Sequence, residues 1–288
     1  MLRYGVPASG PMDRKSFSVA NAALGNSKDT PAIEISSSGL TLDCIEGSVT
    51  FAIAGGGFHI AINDVALSPW CKATLTAGSR LTIRSGTWGN WTYLAFAGDL
   101  LCSRWLGSAS THSLSGLGGG KLDVGNAITI INSRTIELAN HIIAHPPTSD
   151  LRSHVRVSLG PQDRYFDAST IQAFMTQPFE LTNAYDRMGV RLRGPALAVN
   201  AALDMPSEPV VRGSIQIAGD GVATVLLADH QTTGGYPKIA TIITSDIDNF
   251  VQIRLGHEVR FTTINAQKSI EAYRYFRLNF DQYLQNLA

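Results

Sequence analysis

The stretch Val222-Ala-Thr-Val-Leu-Leu-Ala-Asp-His-Gln-Thr-Thr-Gly-Gly-Tyr-Pro-Lys-Ile-Ala-Thr-Ile-Ile243 reads as strand, loop, strand. The runs 222–228 and 239–243 are short, apolar and rich in β-branched residues, which suits strands with buried faces. The loop between them is longer than a tight hairpin needs. It is dense in side chains that hydrogen-bond or carry charge: Gln231, Thr232, Thr233, Tyr236 and Lys238. Gly234-Gly235 permits positive φ or close approach to a ligand, and Pro237 fixes the exit. Ordinary turn chemistry would explain such a hairpin tip. A second loop, Ala184-Tyr185-Asp186-Arg187-Met188-Gly189, repeats the style and adds weight to a site.

The same strand-and-turn grammar runs through most of the chain. Segments 33–35, 40–42, 49–54, 58–62, 80–84 and 91–97 are enriched in β-branched and aromatic residues and separated by Gly, Asn, Asp or Ser. Strands are expected again at 155–159, 190–192, 213–217, 222–227, 239–243 and 258–264. Three helices interrupt them. Residues 11–24 open on Pro11 and stop at Gly25-Asn26, and residues 170–175 follow a Ser169/Gln172 capping box. Residues 269–284 place Ile270, Tyr273, Phe280 and Leu284 on one face. His145-Pro-Pro-Thr-Ser-Asp150 has linker composition, so an N-terminal lobe at 1–146 and a C-terminal lobe at 151–288 are expected.

Composition narrows the function. The 23 basic and 23 acidic residues cancel, and charged residues make up only 16% of the chain, so no field steers it to nucleic acid or an anionic membrane. Cys44, Cys71 and Cys102 are odd in number and widely spaced, which excludes a disulfide framework and suits a reduced, cytoplasmic setting. Gly116-Leu-Gly-Gly-Gly-Lys121 lacks the first Gly and the Ser/Thr of a phosphate loop. Gly55-Gly-Gly57 has Ile60 where a dinucleotide fingerprint needs Gly. No nucleophile elbow and no His-x-x-x-His pair is present, so a self-contained hydrolase, kinase or metalloenzyme is not indicated, and no metal site is expected.

Gln231-Thr-Thr-Gly-Gly-Tyr-Pro-Lys238, Asp186-Arg-Met-Gly189 and Ser9-Gly-Pro-Met-Asp13 resemble the motifs of one family, in order, between Tyr4 and about Phe261. It comprises allophanate hydrolase subunit 2, the C-type subunit of 5-oxoprolinase and the KipA-type antagonists. It is also similar to carboxyltransferase subdomains A and B of urea carboxylase. The resemblance implies a mostly β, two-lobed protein with cyclophilin-like β-barrels and a few short helices. It also implies a subunit of an ATP-dependent 5-oxoprolinase or biotin-dependent, urea amidolyase-like enzyme, acting on a small amide, lactam or urea and inactive alone. The alternative is a non-catalytic KipA-type regulator that antagonises a kinase inhibitor. ATP or carboxybiotin would come through partners, a B-type (KipI-like) subunit and an A-type oxoprolinase subunit, because this chain has no nucleotide motif and no biotinyl-lysine Met-Lys-Met. Family members begin with a further strand and a Gln-Asp-x-Gly-Arg turn, so a late start or a shortened chain is expected here. Tyr185 and His230 replace the family's Ser and Arg.

The candidate site is therefore a hydrogen-bonding set. Lys238, Gln231 and Arg187 are the expected catalytic residues. Ser9, Asp13, Asp186, Gln216, Thr232, Thr233, Gly234, Gly235 and Tyr236 are expected to bind substrate. Urea, the ureido ring of biotin and the lactam of 5-oxoproline each set an N–H beside a C=O, and a Gln amide complements that edge. Arg187 or Lys238 would hold a carboxylate or a developing oxyanion. The bland readings are an Arg187 ion pair with Asp186 or another carboxylate, a Gln216 that satisfies a strand edge, and an Asp13 that offsets a helix dipole. Lys238 itself is expected to be exposed.

Overall fold

The computed structural model describes residues 2–112, 114–138, 140–147, 153–200 and 205–287. The chain divides into two compact units, one of Met1–Met12 with Asp150–Arg277 and one of Asp13–Ser149 with Leu278–Ala288. The chain passes from one unit to the other between residues 149 and 150. The terminal segments change places, however, because contacts made in space rather than adjacency in sequence assign them. Thr148 to Asp150 of the expected linker lie outside the described residues. Its first part is packed rather than loose: the His145 ring stacks on Trp70 with centroids 4.5 Å apart, and Pro146 is buried.

The unit containing residues 13–149 begins with helix α1 (Arg14–Ala22). Its strands are β1 (Ile33–Ser36), β2 (Leu40–Asp43), β3 (Ser48–Gly55), β4 (His59–Ile62), β5 (Val65–Leu67), β6 (Cys71–Thr76), β7 (Arg80–Arg84) and β8 (Trp91–Phe96). Two four-stranded sheets form, in the orders β1-β8-β3-β6 and β2-β7-β4-β5. Phe51, Ile53, Leu75 and Leu94 from the first meet Ile60, Leu81 and Ile83 from the second in one core. The pattern of β3, buried at seven consecutive positions from Val49, explains why it reads as an apolar run instead of an alternation. Gly55 closes it at φ +148°, where a Cβ would sit 2.4 Å from Thr92 Cα, so this glycine is needed for strand approach. A short ladder of β9 (Asp99–Leu101) with β10 (Thr129–Ile131) follows. Asp13, not Pro11, starts α1: its carboxylate accepts from Ser16 N at 3.0 Å, the satisfaction a first helical turn requires.

The other unit holds β11 (His154–Leu159), α2 (Ala168–Thr176), β12 (Phe179–Tyr185), β13 (Gly189–Arg193), β14 (Glu208–Pro209), β15 (Ser214–Ile217), β16 (Ala223–Leu226), β17 (Thr233–Gly234), β18 (Lys238–Ile242), α3 (Ile247–Phe250) and β19 (Glu258–Thr263). Seven strands close into a barrel in the order β11-β18-β15-β16-β13-β12-β19. Closure leaves the barrel strands without a free edge. So the mostly β class and the barrel are present, and the closed ring of pairings among the described residues belongs to this unit, while its neighbour is built from two open sheets. Phe174 of α2 stacks on Phe261 with centroids 4.8 Å apart, and Phe179 joins them, sealing one side of the barrel. Asp167, not Ser169, caps α2, because its Oδ1 is the acceptor for Thr170 N at 2.6 Å. The last helix, α4 (Ala266–Gln285), is longer than expected, and among its residues only Phe280 is buried.

Candidate functional site

Strand β16 delivers the chain to Asp229, the loop crosses 230–237, and β18 takes it back into the barrel at Lys238. Within the loop, Thr233–Gly234 forms the two-residue strand β17, which pairs with Glu208–Pro209 of β14. The loop is thus a small second sheet, not a free hairpin tip. Gly234 and Gly235 do not take left-handed backbone, contrary to one use anticipated for them. Their value is room: a Cβ on Gly234 would lie 3.4 Å from Gln231 Nε2 and from Val210 Cγ1, and one on Gly235 would lie 3.3 Å from Met205 O. Thr233 and Tyr236 are exposed, and Thr232 offers its carbonyl to Val210 N at 3.1 Å.

Lys238 departs most from expectation. Its side chain is 1% exposed, not on the surface. Residue 238 opens β18 and is the register partner of Gln216 on β15, so both side chains share one face of the barrel wall. Its ammonium Nζ has no hydrogen-bond partner among the described residues. Among the described residues the opposite charge paired with it is Glu208 Oε2 at 4.0 Å, on a side chain 44% exposed. That separation permits attraction but not a hydrogen bond. Burial pushes the Lys238 pKa below the ordinary lysine value, and Glu208 opposes the shift.

Three amides belong to residues paired with, bonded to or in the loop before residue 238. Gln231 Nε2 donates to Gln216 Oε1 at 3.5 Å, a long bond that leaves the Gln231 oxygen and the Gln216 NH2 for other partners. Gln162, which sequence reasoning missed, is 1% exposed. Its backbone N–H donates to Lys238 O at 3.1 Å, and its side-chain Oε1 accepts from Lys238 N at 3.0 Å. Its Nε2 then donates to Glu208 Oε2. Glu208, also missed, stands in a polar stretch before Pro209 with no periodicity or motif to single it out; only the β14–β17 pairing brings it to Lys238.

Arg187 and Ser9 form a different cluster in the same unit. Arg187 Nε and Nη2 grip the two oxygens of Asp229 at 2.9 and 3.0 Å. Nη2 also donates to Gly10 O at 2.7 Å, and Ser9 Oγ donates to Asp229 Oδ1 at 2.5 Å. The Asp229 side chain is fully buried and that of Arg187 is 17% exposed. A guanidinium held this way ties the N-terminal segment to the barrel, and the geometry gives Arg187 the pairing with another carboxylate that was weighed beside its catalytic role. Asp186 takes no part in that pair. Its Oδ1 accepts from Met188 N and Gly189 N at 2.7 and 3.1 Å, which folds the turn between β12 and β13. Asp13 is occupied as the α1 cap and lies in the other unit.

His230 is buried and its Nδ1–H donates to the carbonyl of Gln231 at 2.6 Å. Burial lowers its pKa, and the positive charge of Arg212 adds to the effect. Arg212 is itself enclosed, donating to Pro11 O at 3.1 Å and pairing with Asp248 at 3.4 Å. Among the described residues no group of His, Cys, Asp and Glu is arranged to hold a metal ion, and no helix is long and apolar enough to cross a membrane.

A closed seven-stranded barrel in one unit and two four-stranded open sheets in the other define a two-unit, mostly β protein. The fold superposes on the crystal structure of Kluyveromyces lactis urea amidolyase with a TM-score of 0.87, covering 98% of this chain and 18% of that one at 23% identity. The chain belongs to the carboxyltransferase domain family, subdomains A and B, whose sequence profile matches residues 4–263. Its relatives include the 5-oxoprolinase C subunit of Escherichia coli, 30% identical over 287 residues that span 99% of this chain and 90% of the relative. Urea amidolyase of Saccharomyces cerevisiae is 27% identical over 288 residues, spanning 93% of this chain and 16% of that protein.

Proposed function

We propose that this chain is a subunit of a multi-subunit enzyme that hydrolyses or carboxylates a small amide, lactam or urea, with 5-oxoproline as the first substrate to test. The observation that carries the reading is the Lys238 ammonium, buried in the barrel unit with no acceptor among the described residues. A buried donor without an acceptor costs stability, so its retention points to an acceptor that arrives from outside.

The chemistry follows from what the amides leave unspent. A substrate carbonyl accepts from Lys238 Nζ and the Gln216 NH2, while the adjoining substrate N–H donates to Gln231 Oε1. When a nucleophile adds to that carbonyl, negative charge gathers on its oxygen. An ammonium already in place in a poorly hydrated site stabilises that charge without reorganising. ATP, which would activate a lactam oxygen, or carboxybiotin, which would deliver a carboxyl group, belongs to partner subunits of A and B type in this reading. The similarity to the C-type subunit of 5-oxoprolinase supports that assignment.

The test is ATP-dependent 5-oxoproline hydrolysis by the A- and B-type partners with this chain, without it, and with its Lys238→Met variant. Turnover is expected only in the complete mixture, with none from the chain alone. Full turnover in its absence, or with Lys238→Met, refutes the reading and returns the chain to the antagonist role.

A further inference from the structure

An ammonium binds a carboxylate at least as readily as a neutral carbonyl, so Lys238 by itself does not select an amide. Its neighbour does. Glu208 Oε2 stands 4.0 Å from Nζ, close enough to balance the charge and too far to use up the donors. We infer that Glu208 is the specificity-determining residue of this site and Gln162 its positioning residue, so that Lys238 takes a neutral amide-type carbonyl and turns away a carboxylate. This rests on the proposed role of Lys238 as the group that faces substrate.

Two contacts hold Glu208 where that selection operates, and one of them is itself anchored at residue 238. The Gln162 Nε2–H donates to the same Oε2 that faces Lys238. Gln162 cannot drift, since it is 1% exposed and is bonded to both the N–H and the C=O of residue 238. The backbone of Glu208 pairs with Gly234 in the loop that supplies Gln231. The carboxylate is therefore referenced to Lys238 through Gln162 and to the amides through β14–β17. A neutral C=O reaching Nζ completes its hydrogen bonding and leaves the balance of charge intact. A carboxylate reaching Nζ is brought within a few ångströms of Glu208, and two like charges there oppose binding. Selection by a fixed repulsive group in this way separates ligands that are equal in shape.

Acetamide and acetate are such a pair. Each is titrated into the full chain, labelled with 13C, at neutral pH and constant ionic strength, following the Lys238 Cε resonance. Acetamide is expected to bind at least about tenfold more tightly than acetate in the wild type. Glu208→Gln, which keeps the shape and removes the charge, is expected to erase that preference by raising acetate affinity. Gln162→Ala is expected to weaken the preference by releasing Glu208, and Glu208→Asp to retain it in part. If both probes bind through Lys238 and their ratio is the same in Glu208→Gln as in wild type, the inference falls and the proposed function stands. If Lys238→Met changes the binding of neither probe, the reading of the site falls and takes the inference with it.

Discussion

Replacing Lys238 by Met should stabilise the protein while sharply lowering its activity. Met matches the lysine stem in length and apolar character, so little cavity is created in a side chain that is 1% exposed. What disappears is an ammonium with no acceptor among the described residues. Leaving a buried donor unsatisfied costs about 1–3 kcal/mol, and a charged one more. Glu208 returns little of that, being 44% exposed and 4.0 Å away. A gain of about 1–3 kcal/mol at pH 7 is therefore expected, with each kcal/mol worth about 2–4 °C in melting temperature. The sign of the pH dependence follows from the lowered pKa. Below the folded-state pKa both states are protonated and the wild type carries the full penalty. Between that pKa and the unfolded value of 10.5 the unfolded chain binds more protons, so wild-type stability rises with pH. The advantage of Lys238→Met should thus be full below the lowered folded-state pKa and shrink as pH rises from there toward 10.5. Urea denaturation at about pH 7 and about pH 10 reads this out through the midpoint at constant slope. A variant less stable than wild type at neutral pH, or a gap that does not change with pH, would refute the argument. In the assembled complex the same variant should lose on the order of 10²-fold in rate.

Arg187→Ala should cost about 3–5 kcal/mol, because it removes the cation paired with the fully buried Asp229 carboxylate, to which Ser9 Oγ still donates, and Arg187→Lys should recover only part of this for want of the two-pronged grip; urea midpoints equivalent to a loss of less than about 1 kcal/mol would contradict it. Asp13→Ala should lower stability by about 1 kcal/mol through loss of the α1 cap, with Asp13→Asn retaining most of it. Gly234→Ala should change stability by less than about 1 kcal/mol, since its Cβ meets atoms at 3.4 Å, yet shift Gln231 enough to weaken acetamide binding several-fold; unchanged affinity would separate the glycine from the site. Co-expression with the B-type partner should give one species in size exclusion, and independent elution at micromolar concentration would count against the assembly.

Strand content and the positions of the main helices were legible in the sequence, because each depends on local composition. β-branched runs mark strands, and a polar, glycine-bearing loop between two of them stands out. Strands β5, β6, β9, β12, β14 and β17 escaped notice, since their composition is less distinctive and they owe their existence to a partner. The caps Asp13 and Asp167 lay two residues or so from the expected helix starts, as only hydrogen-bond geometry decides which acceptor reaches the first turn. Side-chain roles needed the closed barrel. Sequence spacing set Arg187 beside Asp186, but the fold pairs it with Asp229, forty-odd positions along, and with Ser9 from the other end of the chain. It set Lys238 in a loop exit where a lysine is ordinarily solvated, but the register of β18 against β15 turns it inward. Glu208 and Gln162 carry no sequence signal at all. Charge, burial and donor balance are properties of a place, and residues 162, 208, 216, 231 and 238 share a place only after the barrel has closed.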